Sequence, residues 1–297
     1  MSEPVIYVNG EFVPQSEARI SVMDHAVLYG DGVFETVASW QGRVFKLEAH
    51  LDRFARSLAA VCLTAPVDRD QLRALVLEAV RRNDLQNAYV KWIVTRGSNG
   101  KPLMDPAGCV PNLIIIARPY IHRFSGKDAA TGIRMKTAAI RRPSGQILDP
   151  HIKSLNYLNL VLAKLEAKAA GADEALMLDS HGRVCEAPGY NVFLLRRGTL
   201  CTPAHDILEG VTRETVMELA AEAGIAVRMC DLELYDTADE CFLTSTAGGL
   251  IPVGEIDGRR IGDGYAGAML RKLSDAYAQL LALDRSGTLV YGAAGAA

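Results

Sequence analysis

The sequence contains no CxxC pair: its six cysteines stand apart at positions 62, 109, 185, 201, 230 and 241. That scatter excludes a disulfide scaffold and reads as reduced core residues, which places the chain in the cytoplasm. No run of about 18 apolar residues occurs, so no membrane span is expected. The opening MSEPVIYVNG has neither a basic start nor a long apolar core and does not resemble a signal peptide. A formal charge of -3 and a pI near 6.1 lack the basic excess of a nucleic-acid binder. GxxxxGK[ST] is absent, which removes a standard P-loop, and without HExxH the six dispersed histidines give a metal little support. "YGDGVF" lacks the third glycine of a dinucleotide fingerprint, and "APGYN" has no serine at the centre of a nucleophile elbow. On the plain reading these glycines serve turns.

What is present is a chain of 297 residues, 49% hydrophobic, enough for one large domain or two smaller ones. "VIYVNGEFV" and "SWQGRVFKL" are hairpin patterns turning at Asn9-Gly10 and Gln41-Gly42. Leu47, Leu51, Phe54 and Leu58 share one helical face, and Asp68 and Gln71 are spaced as a capping box ahead of a second helix. "AYVKWIVTRG" and "NLIIIARPY" read as strands. The polar stretch Ile121–Gly132 changes the composition and is expected to be a linker. After it come the strand "IRMKTAAI", a helix next to Lys153, a strand series, the helix "VTRETVMELAAEAG" ending at Gly224, and a last amphipathic helix. The small-residue tail "GAAGAA" is expected to fray. No internal repeat is seen. The expectation is an α+β protein with a small N-terminal α/β domain over residues 1–120, a linker over 121–132, a large C-terminal domain carrying Lys153 over 133–285, and a tail over 286–297.

Four separated segments offer what an anionic, conjugated cofactor needs. Lys153, beside a helical run holding Asn156, Tyr157 and Asn159, could condense with an aldehyde, as partial burial would favour. Tyr157, four residues on and on or near the same helical face, could reach a phenolic oxygen. Glu186, set among apolar strand residues, is costly unless paired, and a protonated pyridine nitrogen would suit it. "LEGVTRE" opens a helix at Val211-Thr212 with free N–H groups and a hydroxyl for a phosphate, Thr246 adds a second hydroxyl, and Arg53 adds a charge. Each has a plainer account alone: a surface lysine, a Glu186–Arg183 salt bridge, a Thr212 helix cap, a solvated arginine. Their joint order favours the cofactor.

In "DHAVLYGDGVFET", "HLDRF", "VTRG", "IKSLNYLN", "EAPGYNVF", "ILEGVTRE" and "TSTAGGLIPV" the chain resembles the fold-type IV (class IV) pyridoxal-phosphate aminotransferases from about Val5 to Leu281. That group holds branched-chain and D-amino-acid aminotransferases, aminodeoxychorismate lyases and (R)-selective amine transaminases. The resemblance implies a two-domain D-amino-acid aminotransferase-like fold, with pyridoxal 5'-phosphate as cofactor. It makes Lys153 the Schiff-base lysine and later the general base, Glu186 the partner of the pyridine nitrogen, and Tyr157 a contact of the phenolic oxygen. Arg53, the Val211 and Thr212 N–H groups and Thr246 would hold the phosphate, with Leu208 on a ring face. It also implies a homodimer.

Over its length the chain looks most like the branched-chain enzymes, with which Tyr29 and Phe34 agree. The usual "FEGxR" is here "FETVA": Thr36 stands for glycine and Ala38 for the arginine that helps hold the α-carboxylate. Lys91 stands where an arginine is frequent, and "TAGG", with Ala247, replaces "TAAE". Losing a guanidinium–carboxylate contact removes about 1.5–3 kcal/mol and lowers preference for amino acids over amines. "TAGG", "EAPGYN" and "SWQGRVFKL" resemble the (R)-selective amine transaminases. The arginine and histidine that D-amino-acid enzymes place after "TRG" are missing, and "FET" resembles the lyases while "KSLNYLN" does not. Arg96 either contacts a carboxylate or makes a structural pairing. The expected activity is ping-pong amino transfer between a hydrophobic donor, a branched-chain amino acid or an (R)-amine, and a 2-oxo acid, with no nucleic acid or membrane as partner. The alternatives are an (R)-selective amine transaminase proper, a D-amino-acid aminotransferase, or a lyase.

Overall fold

The computed structural model describes residues 3–121, 131–283 and 287–291. Contacts divide the chain into two units. Among the described residues the first takes in those up to Ile121, Ile152–Asn156 and those from Leu281 on, and the second takes in the remainder.

The first unit is built on a sheet whose hairpins follow from their turn residues. Asn9 and Gly10 both have positive φ and fold β1 (Val5–Val8) onto β2 (Glu11–Pro14). After α1 (His25–Tyr29), Gln41 and Gly42 do the same between β3 (Gly32–Trp40) and β4 (Arg43–Phe45). Paired positive-φ residues match the twist of the strands they join. α2 (Leu47–Ala60) and α3 (Arg69–Arg82) follow, α3 starting in the expected capping box between Asp68 and Gln71. β5 (Ala88–Ser98) and β6 (Val110–Pro119) complete the run. From edge to edge the sheet reads Gly287–Leu289, β4, β3, β5, β6, β1, β2. Alternation puts Val33 and Val37 of β3 with Val90, Trp92 and Val94 of β5 on one face, buried against Leu47, Leu51 and Phe54 of α2 and Val76 of α3. Phe34, Thr36 and Ala38, with Tyr89 and Lys91 across from them, fall on the other face.

In the second unit β7 (Ile133–Thr137), α4 (Leu158–Ala169), β8 (Glu174–Leu178), β9 (Val184–Ala187), β10 (Tyr190–Arg196) and β11 (Thr199–Pro203) lead to α5 (Val211–Glu222). β12 (Val227–Cys230), β13 (Glu240–Ser245), β14 (Gly249–Ile256), β15 (Arg259–Arg260) and α6 (Ala268–Ala282) follow. Among the described residues, β10, β13, β14, β7, β8 and β9 pair in that order, and β9 pairs back with β10, so these strands close into a ring; β11 and β12 extend from β10. Leu176, Leu178, Val192, Leu243, Ile251 and Val253 form the core of this unit. α5 ends as expected, with Gly224 at positive φ just beyond it.

Three expectations change. The helix near Lys153 begins only at Leu158 with Tyr157 as its N-cap, so Lys153 and Tyr157 do not share a helical face. Lys153 belongs by its contacts to the first unit, not to a domain over 133–285, because its segment pairs with β3. The stretch assigned to a tail from 286 contains Gly287–Leu289, which pairs with β4, followed by Val290, fully buried in the first core. The expected linker over 121–132 falls mostly on 122–130, and "GAAGAA" falls on 292–297; both lie outside the described residues.

Candidate active site

β4 pairs only with the last two residues of β3, which leaves the edge of β3 open around Gly32–Phe34. The Lys153 segment takes that edge. Phe34 N–H donates to Lys153 O at 2.9 Å, Leu155 N–H to Gly32 O at 3.0 Å, and Ser154 forms a bridge with Val33. Lys153 N–H donates to Ser57 Oγ of α2 at 3.1 Å. The glycines of "YGDG" make room for this docking. A Cβ on Gly32 would lie 2.7 Å from Leu155 Cδ1 and 2.8 Å from Val94 O. Gly30 closes α1 in the left-handed region, and its carbonyl accepts from Asn156 Nδ2 at 3.2 Å. Both glycines therefore do more than turn the chain. Lys153 is half-buried, and its Nζ stands 4.6 Å from the centre of the Phe34 ring.

One turn before Ser57 on α2 lies Arg53, which is buried rather than solvated. Its Nε and Nη2 donate to Glu35 Oε2 and Oε1 at 2.8 and 2.7 Å, and His50 Nδ1 lies 3.2 Å from Glu35 Oε1. A carboxylate only accepts, so His50 carries its proton on Nδ1. Burial by itself would raise the Glu35 pKa, but the Arg53 charge and then His50 outweigh it and hold the carboxyl well below the usual range. Burial pushes the His50 pKa down, Glu35 opposes this, and the positive charges of Arg53 and Lys153 add to the lowering. Arg53 is thus held rigid by a buried acid.

On the sheet face opposite α2 and α3 Thr36 is buried, and its Oγ1 lies 3.5 Å from the Tyr89 hydroxyl. Ala38 is half-buried. Lys91, paired across from Thr36, brings its Nζ to 4.7 Å from the same Phe34 ring that Lys153 approaches. Tyr29 closes α1 with its ring edge-on to His25. Arg96 makes the structural pairing: Nε and Nη2 donate to Asp31 at 2.8 and 3.0 Å, Nη1 to Cys62 O and Nη2 to Val61 O.

In the second unit Glu186 is buried on β9, and Arg142, not Arg183, is its partner, with Nε 2.7 Å from Oε1. That distance makes an ion pair, although the N–H points off the line to the oxygen. Arg183 pairs instead with Asp179 and Asp231. Glu186 Oε2 accepts from Leu208 N–H at 3.0 Å. Two residues on, Gly210 is the N-cap of α5 with no side-chain cap, so Val211 and Thr212, both buried, begin the helix with backbone N–H groups no capping side chain takes. Thr212 is therefore inside the helix rather than its cap. Thr246 and Ala247 lie in the turn after β13; its tightness requires Gly248, where a Cβ would meet Ile251 Cδ1 at 2.6 Å. Tyr157 packs beside Ala138, Leu160 and Met177.

The sequence reading missed Glu35, His50, Arg142 and Asn191. The doubled arginine before Pro143 and the lone acid in "VFETV" were the available signals, since a charge flanked by strand residues requires a partner. Pyridoxal phosphate needs an amine for its aldehyde, a carboxylate for its ring N–H and donors for a dianion. The chain carries a lysine, a buried ion-paired glutamate, and a helix N-terminus without a side-chain cap. Thr244 Oγ1 is also buried without a hydrogen-bond partner among the described residues. The residues fit the group.

That donor set is the one a pyridoxal 5'-phosphate enzyme requires. The chain belongs to the class IV aminotransferases: the family profile described as "Amino-transferase class IV" matches residues 32–256. It is 44% identical over 277 residues to a Methanocaldococcus jannaschii protein provisionally named a branched-chain-amino-acid aminotransferase, covering 92% of this chain and 94% of that one. It is 38% identical over 287 residues to the branched-chain-amino-acid aminotransferase of Pseudomonas aeruginosa, covering 93% and 92%. The crystal structure of the T.th. branched-chain amino acid aminotransferase with pyridoxamine 5'-phosphate superposes with a TM-score of 0.92 at 31% identity, covering 98% of this chain and 100% of that one. The protein is an α+β transaminase of fold type IV that uses pyridoxal 5'-phosphate. No helix among the described residues is long and apolar enough to cross a membrane.

Proposed function

We propose that the enzyme moves an amino group between a hydrophobic donor, a branched-chain amino acid or an (R)-amine, and a 2-oxo acid. The observation that carries this reading is the make-up of the sheet face opposite α2 and α3: Phe34 offers an apolar ring, Thr36 is turned to Tyr89, and Ala38 brings no guanidinium beside them. Relatives named as branched-chain enzymes support the amino acid, and Ala38 supports the amine. Lys91 is the cation positioned to meet a carboxylate on that face.

Bound to the chain, pyridoxal phosphate supplies an aldehyde and a ring that accepts the electron pair left when the substrate carbon gives up its proton. Lys153 Nζ would carry that proton. Glu186, ion-paired with Arg142, would be the acceptor for the ring N–H. Arg53, the Val211 and Thr212 N–H groups and Thr246 would be the donors for the phosphate, Leu208 would pack on the ring, and Tyr157 would be the contact of the phenolic oxygen. The free state of the six cysteines supports a reducing, cytoplasmic setting. Leu158, Val161, Leu162 and Leu165 form an exposed apolar stripe on α4, which supports a homodimer.

The test is a donor panel of L-leucine, D-alanine and both enantiomers of 1-phenylethylamine with a 2-oxo acid. The native chain should use L-leucine or the (R)-amine. Ala38→Arg should shift the ratio toward the amino acid by about ten- to a hundredfold. Turnover of D-alanine alone overturns the substrate assignment, and product formed without any oxo acid would identify a lyase.

A further inference from the structure

We infer that Asn191 is a positioning residue for the cofactor, clasping the peptide of Leu208 together with Glu186 and so setting the distance between the ring-nitrogen acid and the phosphate-binding turn. The inference rests on the cofactor roles proposed above for Glu186, Val211 and Thr212. The β9–β10 pairing sets Asn191 directly opposite Glu186, and β13 sets Thr244 opposite Asn191, so three polar side chains form one cross-strand row. Leu208 lies against that row. Its N–H donates to Glu186 Oε2 at 3.0 Å, and its carbonyl accepts from Asn191 Nδ2 at 2.8 Å. Both backbone groups of one residue are therefore held, one by the acid and one by its neighbour.

The other end of the same amide sets the next step of the chain. A Cβ on Gly210 would lie 2.1 Å from Asn191 Oδ1, far inside contact distance. Gly210 is glycine because the helix entry passes against this side chain, not because of its backbone angles, which are ordinary at φ -71 and ψ 131. Asn191 is itself almost fully buried, so its amide has little freedom to move aside. Glu186, Leu208, Gly210 and the first N–H groups of α5 thus form one continuous template. A rigid ligand whose ring nitrogen and phosphate are a fixed distance apart requires a template fixed in this way. An aspartate at 191 would set a carboxylate against the Leu208 carbonyl and break the clasp.

The experiment is a double-mutant cycle on pyridoxal phosphate affinity, titrating the apo chain and reading its visible absorbance, with apo unfolding midpoints as a separate record. Asn191→Ala and Gly210→Ala should each weaken binding by about ten- to a hundredfold. Gly210→Ala should cost far less in the Asn191→Ala background, because the oxygen it strikes is gone. Asn191→Asp should bind no better than Asn191→Ala. A purely structural role would lower the unfolding midpoint while leaving the affinity of the folded fraction unchanged, and that result overturns the inference. So does independent addition of the two losses. If Asn191→Ala does not fold, full affinity in Gly210→Ala alone is sufficient to reject the clasp. A native chain that binds no pyridoxal phosphate would instead refute the cofactor roles on which the clasp depends.

Discussion

Replacing Glu35 by glutamine keeps the size of the side chain and deletes its charge. The native carboxylate accepts from Arg53 twice, from His50 Nδ1 and, at 2.7 Å, from the Thr36 N–H. An amide can accept through only one oxygen and turns an NH2 toward groups that are themselves donors. Arg53 loses a fully buried counter-charge. Removing one partner of a buried pair costs about 3–5 kcal/mol. At about 1.6 °C per kcal/mol for a chain of 297 residues, the apo unfolding midpoint at neutral pH should fall by about 5–8 °C. The pH dependence has a definite sign. Because the folded-state pKa of Glu35 lies below the ordinary value of about 4.3, the unfolded chain binds the proton first as pH falls. The stability Glu35 contributes is fully present above that value and drains away below it, so the gap between native and Glu35→Gln chains should narrow on acidification. Calorimetry of both apo chains at neutral pH and near pH 4 reads this directly. Equal midpoints at neutral pH, or a gap that widens in acid, would refute the buried-pair account of Arg53.

Lys153→Ala should leave the circular dichroism spectrum intact and reduce turnover by about a thousandfold or more, since it removes the group proposed to move the substrate proton. Retained turnover in a stopped-flow assay would reject that role. Gly32→Ala places a Cβ 2.7 Å from Leu155 Cδ1 and should cost about 1–3 kcal/mol of stability along with activity. The control Gly145→Ala, whose Cβ would meet nothing nearer than 3.9 Å, should be silent in denaturant unfolding and turnover alike.

Local chemistry was legible and distant pairing was not. Asn9-Gly10, Gln41-Gly42 and the Asp68–Gln71 box declare themselves within a few residues, because each is decided by positive φ or by a cap three positions away. Glu186 stands out as a lone acid among strand residues, whereas Lys153 alone reads as a surface lysine and is singled out only together with the other segments. The partner of Glu186 was not legible: Arg183 is near in sequence, yet Arg142, whose N–H donates to Leu178 O on the strand beside β9, is the one delivered. Arg53 and Arg96 carry the same lesson, since a charged side chain on a helix or strand shows its partner only once Glu35 or Asp31 has been brought to it. The return of Gly287–Leu289 to β4 depends on an open edge that no window of the chain near residue 287 contains.

The peptide enters the first sheet three times: through the residues up to Ile121, through the bridge at Ile152–Asn156, and through the strand at Gly287–Leu289. A fragment stopped at Ile121 would therefore keep every helix that covers the sheet and still present two raw borders, one along Gly32–Phe34 and one along β4. Unpaired borders of this kind recruit strands from other molecules. Anyone dissecting this enzyme into halves should expect the amino-terminal half to clump, and should find that supplying the missing ribbons in trans restores its solubility.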